Sequence, residues 1–178
     1  MLNKYSTQYF DCPIDIKQGN FLSPTLFAIF INNLSLEIKE SLHGLKIEIG
    51  KDMSVLVNIL LYADDIVLLT SNELDMQHLL SILESWCKKW RLELNLAKTN
   101  VMHVRCRNQN QSKFWFLFDR KTVPYCSNYR YLGTTIDQYL DYKVTSNVQC
   151  DVIPIHDKNQ VRSTSTPTFV TSIHVMKP

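Results

Sequence analysis

"LLYADDIVLLT", residues 60–70, sets two adjacent carboxylates, Asp64 and Asp65, in the middle of a run that is otherwise almost wholly apolar. An ionised carboxylate left unpaired in an apolar setting costs several kcal/mol or more. The pair must therefore stay in water or be neutralised. Aspartate favours turns and weakens strand interiors, so the run breaks naturally at Ala63-Asp64-Asp65. This predicts a hairpin with the carboxylates at its tip. Both sequence parities of the flanking run are apolar, which predicts strands covered on both faces.

Outward from the hairpin the periodicity changes twice. Upstream, "SPTLFAIFINNLSLEIKESLHG" reads as a helix, with Ser23 as N-cap and Pro24 at the first helical position. Leu26, Phe27, Phe30, Ile31, Leu34 and Ile38 repeat at three- and four-residue spacing, and Gly44 is placed to end the helix. "LKIEI" then alternates as a strand. Downstream, a second amphipathic helix runs from about Glu73 to Arg91, capped by Asn72. Its apolar stripe is Met76, Leu79, Leu80, Leu83, Trp86, Cys87 and Trp90. "NVMHVR", "FWFLF" and "YRYLGTTID" follow as short strands. From residue 146 the chain is polar, with a Ser/Thr-rich "RSTSTPTFVTS", and reads as a poorly ordered tail. The expected fold class is α+β, a small antiparallel sheet with two helices packed on one face. Residues 1–145 form the domain and 146–178 the tail.

Composition narrows the possibilities. At 178 residues the chain suits one domain with a real core. A hydrophobic share of 45% with 20% charged residues is ordinary for a globular protein. No GxxxxGK[ST] loop is present, which excludes a P-loop nucleotide site. Five scattered cysteines without a CxxC pair argue against a zinc site and a disulfide framework, and suit a reducing compartment. The first ten residues lack the apolar core of a signal peptide, and the most apolar window, Val55 to Leu69, is too short for a membrane span. The expected location is cytoplasmic or nuclear.

Two aspartates between apolar strands are, taken alone, solvated turn residues. The alternative is a divalent metal site. Mg²⁺ is a hard cation bound by carboxylate oxygens and substrate phosphates. Two such ions about 4 Å apart can stabilise both the attacking and the leaving oxygen of an in-line phosphoryl displacement. Adjacent strand residues point to opposite faces, so Asp64 and Asp65 do not contribute equally. A complete site needs a further carboxylate from another strand. The residue pair alone leaves both readings open.

Four blocks decide between them: "KQGNFLSPTLFAIFINNL" (17–34), "LLYADDIVLL" (60–69), "WCKKWRLELNLAKTNVM" (86–102) and "YRYLGTTID" (129–137). In this order and spacing the chain resembles the reverse transcriptase (RNA-directed DNA polymerase) of non-LTR, LINE-type retrotransposons, over roughly residues 10 to 145. The resemblance implies a polymerase palm in which Asp64 ligates the catalytic Mg²⁺ ions and Asp65 is a partial or supporting ligand. Tyr62 would lie near the primer end. Gln18 and Gly19 would lie beside the incoming nucleotide and the template. Lys98 would act near the leaving pyrophosphate. Tyr131, Leu132 and Gly133 would form the primer grip. RNA template, DNA primer and deoxynucleotide triphosphates are the implied partners. Trp86 and Trp90 read as core residues rather than base-stacking platforms. His43, His78 and His103 have no partner at metal-ligand spacing and receive no role.

The same resemblance implies parts that the sequence does not display. Family members carry a strand with a first catalytic aspartate some tens of residues before the QG block. Here Asp11 precedes Gln18 by only six intervening residues, whereas a parallel return needs a dozen or more. Asp11 and Asp15 therefore read as loop acids. The expectation is a partial palm with fingers and thumb missing, inactive as this chain alone. A non-catalytic remnant binding nucleic acid or protein is the alternative, and a metal-dependent nuclease is disfavoured by the polymerase-type blocks.

Overall fold

The computed structural model describes residues 22–49, 52–63, 65–140 and 168–176. The expectations for Asp11, Asp15, Gln18, Gly19 and Asp64 lie outside the described residues. In chain order the elements are α1 (Leu22–Glu40), β1 (Leu45–Ile49), β2 (Met53–Val57), β3 (Ile59–Tyr62), β4 (Asp65–Thr70) and α2 (Glu73–Trp90). They continue as β5 (Glu93–Leu94), β6 (Asn100–Val104), β7 (Leu117–Phe118), β8 (Lys121–Thr122), β9 (Tyr125–Cys126), β10 (Asn128–Tyr131), β11 (Thr134–Asp137) and β12 (Thr168–Met176).

The second helix forms where its caps and stripe place it. The Asn72 side chain accepts from the Asp75 backbone N–H at 2.9 Å, satisfying one of the donors a helix start leaves open. Met76, Leu79, Leu80, Leu83, Trp86 and Cys87 are buried, while Trp90 at the end of the stripe stays 43% exposed. α1 buries Ile31, Leu34 and Ile38 but leaves Leu26 exposed. Phe30 joins the two helices, its ring 5.0 Å from that of Trp86 and 4.9 Å from that of Trp90. Trp86 donates its indole N–H to Asn33 Oδ1 at 3.3 Å, so this large ring is core with its polar edge satisfied.

Gly44 does not end α1. The helix stops at Glu40, and Leu42 takes the left-handed conformation with φ 57°. Gly44 serves close approach instead: a Cβ there would meet the Asn58 Cβ at 2.8 Å and the Val57 carbonyl oxygen at 3.0 Å. Asn58 is the buried break between β2 and β3. Its Nδ2 donates to the Ile38 carbonyl at 3.0 Å, fastening the strand to the end of α1.

β3 and β4 pair as the expected antiparallel hairpin, Ile59 opposite Leu68 and Tyr62 opposite Asp65. They form one side of a six-stranded sheet ordered β3-β4-β12-β6-β9, with β5 also paired to β12. Its ladders are antiparallel except for β6 with β9. α2 packs on β4 and β12 while α1 packs on α2 and β3, giving the mixed α+β layering. Ile66, Val67 and Leu68 are all buried, as the apolar run with both parities filled requires.

The reading of 146–178 as a poorly ordered tail is corrected for residues 168–176. β12 is a central strand, hydrogen-bonded to β4 on one side and β6 on the other. Phe169, Thr171 and Ile173 are buried. The signal was period-two alternation in "TFVTSIHVM", obscured by the surrounding serines and threonines. Its many β-branched residues suit a strand between two neighbours. Thr171 Oγ1 donates to the Met76 sulfur at 2.8 Å, which partners its hydroxyl in the core.

Candidate functional site

The acidic tip is a tight connection between two paired strands. Tyr62 ends β3, Asp65 opens β4, and Ala63 between them adopts φ 50°. A two-residue hairpin loop needs positive φ to match the strand twist, and alanine holds it at a cost of about 1 kcal/mol. Tyr62 is 58% exposed and Asp65 is half-buried, so the tip opens to solvent while the strands below it are in the core. On its other side Asp65 stands opposite His174 of β12 in the ladder.

A second hairpin lies within electrostatic range of this tip. β10 and β11 pair from Asn128–Asp137 to Tyr131–Thr134, closed by Leu132 at φ 48° and Gly133 at φ 84°. Positive φ at both central residues is the type I′ arrangement. A Cβ on Gly133 would meet nothing within 4 Å, so backbone conformation rather than space calls for glycine there. The Tyr131 phenol is pushed above its usual range by burial first, then by the charges of Asp65 and Tyr62. Tyr62, Asp65 and Tyr131, drawn from two separate sequence blocks, are thus within electrostatic reach of one another.

Lys98 is exposed in the turn that precedes β6, its backbone N–H bonded to the Asn95 carbonyl at 3.0 Å. Register fixes which end of the sheet it occupies. β12 sets His174 against Asp65 and Ser172 against Asn100, so the turn before Asn100 lies at the same end as the acidic tip. Two strand spacings, about 10 Å, separate β4 from β6.

Other singled-out residues are structural. His43 Nδ1 lies 2.8 Å from Asp75 Oδ1, and its ring is 4.5 Å from that of His78. His103 accepts from the Ser112 backbone N–H at Nδ1, 3.0 Å away, so its proton sits on Nε2. Burial, then the neighbouring Arg105, pushes its pKa down, with Glu73 opposing. Cys87 is free and buried, its thiol pushed up to about 12 by burial, which makes it inert.

No group of three His, Cys, Asp or Glu side chains that could hold a metal ion occurs among the described residues. A single carboxylate such as Asp65 at the tip does not by itself make a divalent-cation site. No helix among the described residues is long and apolar enough to cross a membrane. The family model for reverse transcriptase (RNA-dependent DNA polymerase) matches residues 3–136. No curated protein and no solved structure matches.

Proposed function

The chain belongs to the reverse transcriptase (RNA-dependent DNA polymerase) family, and from that premise we propose that it is the palm portion of a non-LTR-type enzyme, built to seat a primer end beside an acidic tip. The observation that carries this reading is the convergence of Tyr62, Asp65 and Tyr131. Two hairpins distant in sequence are thus within electrostatic reach, one carrying Asp65 and the other the motif that resembles a primer grip.

In this reading Asp64 and Asp65 hold the magnesium ions that would neutralise developing phosphate charge during attack of a primer 3′-hydroxyl on a deoxynucleotide. The chain's own contribution is positioning. The β3–β4 ladder fixes the height of Asp65. The exposed Tyr62 ring offers a face to the terminal sugar or base, and the Tyr131–Gly133 hairpin backs the primer strand. Lys98, at the same end of the sheet, offers a cation to the departing pyrophosphate. Gln18 and Gly19, by their resemblance to the family's QG block, would serve the template and the incoming nucleotide.

The chain by itself adds no nucleotides, in our reading. Neither neighbour of β4 carries a further acid: β3 is "ILLY" and β12 is "TFVTSIHVM". Charge neutralisation of a triphosphate by a two-carboxylate tip loses orders of magnitude when a cooperating member is lacking. The test is a pair of measurements on the whole chain with an RNA template annealed to a DNA primer. Salt-sensitive binding without primer extension in magnesium and deoxynucleotides is expected. Extension above background would overturn the inactivity, and absence of binding at low salt would overturn the palm assignment.

A further inference from the structure

His43, on the connection between α1 and β1, and His78, in the first half of α2, are remote in the chain, and spacing gave neither a role. The fold sets their rings 4.5 Å apart at an interplanar angle of 60°. Asp75, one turn before His78 on α2, holds the other histidine: His43 Nδ1 lies 2.8 Å from Asp75 Oδ1. That carboxylate is itself fixed, its Oδ2 accepting from Asn72 Nδ2 at 2.8 Å while the Asp75 N–H donates to Asn72 Oδ1 at 2.9 Å. An ionised carboxylate only accepts, so the His43 proton sits on Nδ1 and Nε2 keeps its lone pair in the neutral ring. No hydrogen bond among the described residues occupies that nitrogen, and the His43 side chain is 38% exposed. His78 is exposed and makes no hydrogen bond among the described residues, its printed neighbour being the His43 ring.

A carboxylate behind one imidazole sets its tautomer, orients the ring and raises its basicity as a ligand. Two imidazoles suit zinc, nickel or copper, whereas magnesium takes hard oxygen ligands. The spacing fits as well. Two imidazoles sharing one ion at a right angle, through bonds of about 2.0–2.1 Å, hold their ring centres about 4.5 Å apart. We propose that His43 and His78 bind one divalent ion of the nickel, copper and zinc group, with Asp75 as the positioning residue. No third His, Cys, Asp or Glu joins them among the described residues, so water completes the coordination. The ion would clip the α1–β1 connection to α2. The site lies beyond Thr70, at the end of β4 away from Asp65, and does not depend on the palm reading.

The experiment measures Ni²⁺ binding to the full chain by calorimetry and by thermal melting. One equivalent is expected to bind through this pair and to raise the melting midpoint. Excess Mg²⁺ is expected not to displace it. His43→Gln and His78→Gln are each expected to weaken that equivalent more than about tenfold and to abolish the rise in midpoint, and Asp75→Asn to weaken it about tenfold. Circular dichroism checks that each variant is folded. A further readout needs no variant: paramagnetic Ni²⁺ is expected to broaden the His43 and His78 ring signals of the unaltered chain before those of the buried His103. Equal Ni²⁺ affinity in the unaltered chain and His78→Gln, no binding, displacement by Mg²⁺, or broadening that starts at other histidines would each overturn the site. The palm reading stands under all of these outcomes.

Discussion

Phe169 of β12 lies flat on the imidazole of His103 of β6, ring centroids 4.5 Å apart and planes 14° apart. The two residues are also directly opposite in the ladder. The contact fastens the last described strand to the middle of the sheet, and Phe116 adds a tilted ring 5.9 Å from Phe169. Phe169→Ala would leave a cavity among these rings and is expected to cost about 3–5 kcal/mol, measured as a lowered urea midpoint. A change below about 1 kcal/mol would mean that β12 does not occupy the sheet in solution.

The same pair makes stability pH-dependent. Burial and Arg105 lower the pKa of His103 from 6.5, so the unfolded chain takes up this proton at a higher pH than the folded one. The unfolded state therefore binds more protons just below pH 6.5, and stability falls there as pH drops towards the folded pKa. Protonation would also turn Nδ1 from acceptor into donor against the Ser112 N–H. Unfolding midpoints at pH 7.5 and pH 5 are expected to differ more in the unaltered protein than in His103→Phe. An equal acid loss in both would refute the assignment.

Asp65 and Tyr62 help hold the Tyr131 phenol above its ordinary 10.0, after the larger effect of burial. Asp65→Asn removes the carboxylate charge and is expected to lower the Tyr131 pKa without returning it fully to 10.0. Alkaline titration of tyrosine absorbance or NMR reads this without any need for activity. No shift would mean that the Asp65 charge does not reach Tyr131.

Gly133 sits at φ 84° in open space. Gly133→Ala is therefore expected to destabilise by about 1 kcal/mol through backbone strain alone, with no steric clash to relieve. A neutral or stabilising result in thermal melting would rule out the type I′ turn.

Replacing Ile173 with aspartate places a charge in a fully buried position of β12. The expected outcome is loss of β12 from the sheet, exposure of the facing edges of β4 and β6, and concentration-dependent aggregation. Light scattering beside circular dichroism would show it. A monodisperse variant with native strand signal would contradict the central placement.

The local grammar of the chain settled most elements. Asn72 as cap, the Met76-to-Cys87 stripe, the break before Asp65 and the "LG" turn at Leu132-Gly133 are short-range signals. Their physics acts within one turn or one hairpin, so a single sequence displays it. The four spaced blocks likewise carried the family, because each reflects local chemistry at a fixed place in the chain. What the sequence alone could not decide was which distant strand completes the sheet. β12 lies about a hundred residues from its partner β4, and its gain comes from burial between β4 and β6 rather than from any local preference. Gly44 shows the same limit: its role depends on the Asn58 Cβ, which only the folded chain brings to it. The packing of Arg105 and Arg107 on the Tyr139 ring and the reach of the Asp65 charge to Tyr131 are also products of long-range packing. Local residue preference drew the elements, and burial against remote partners chose which of them touch.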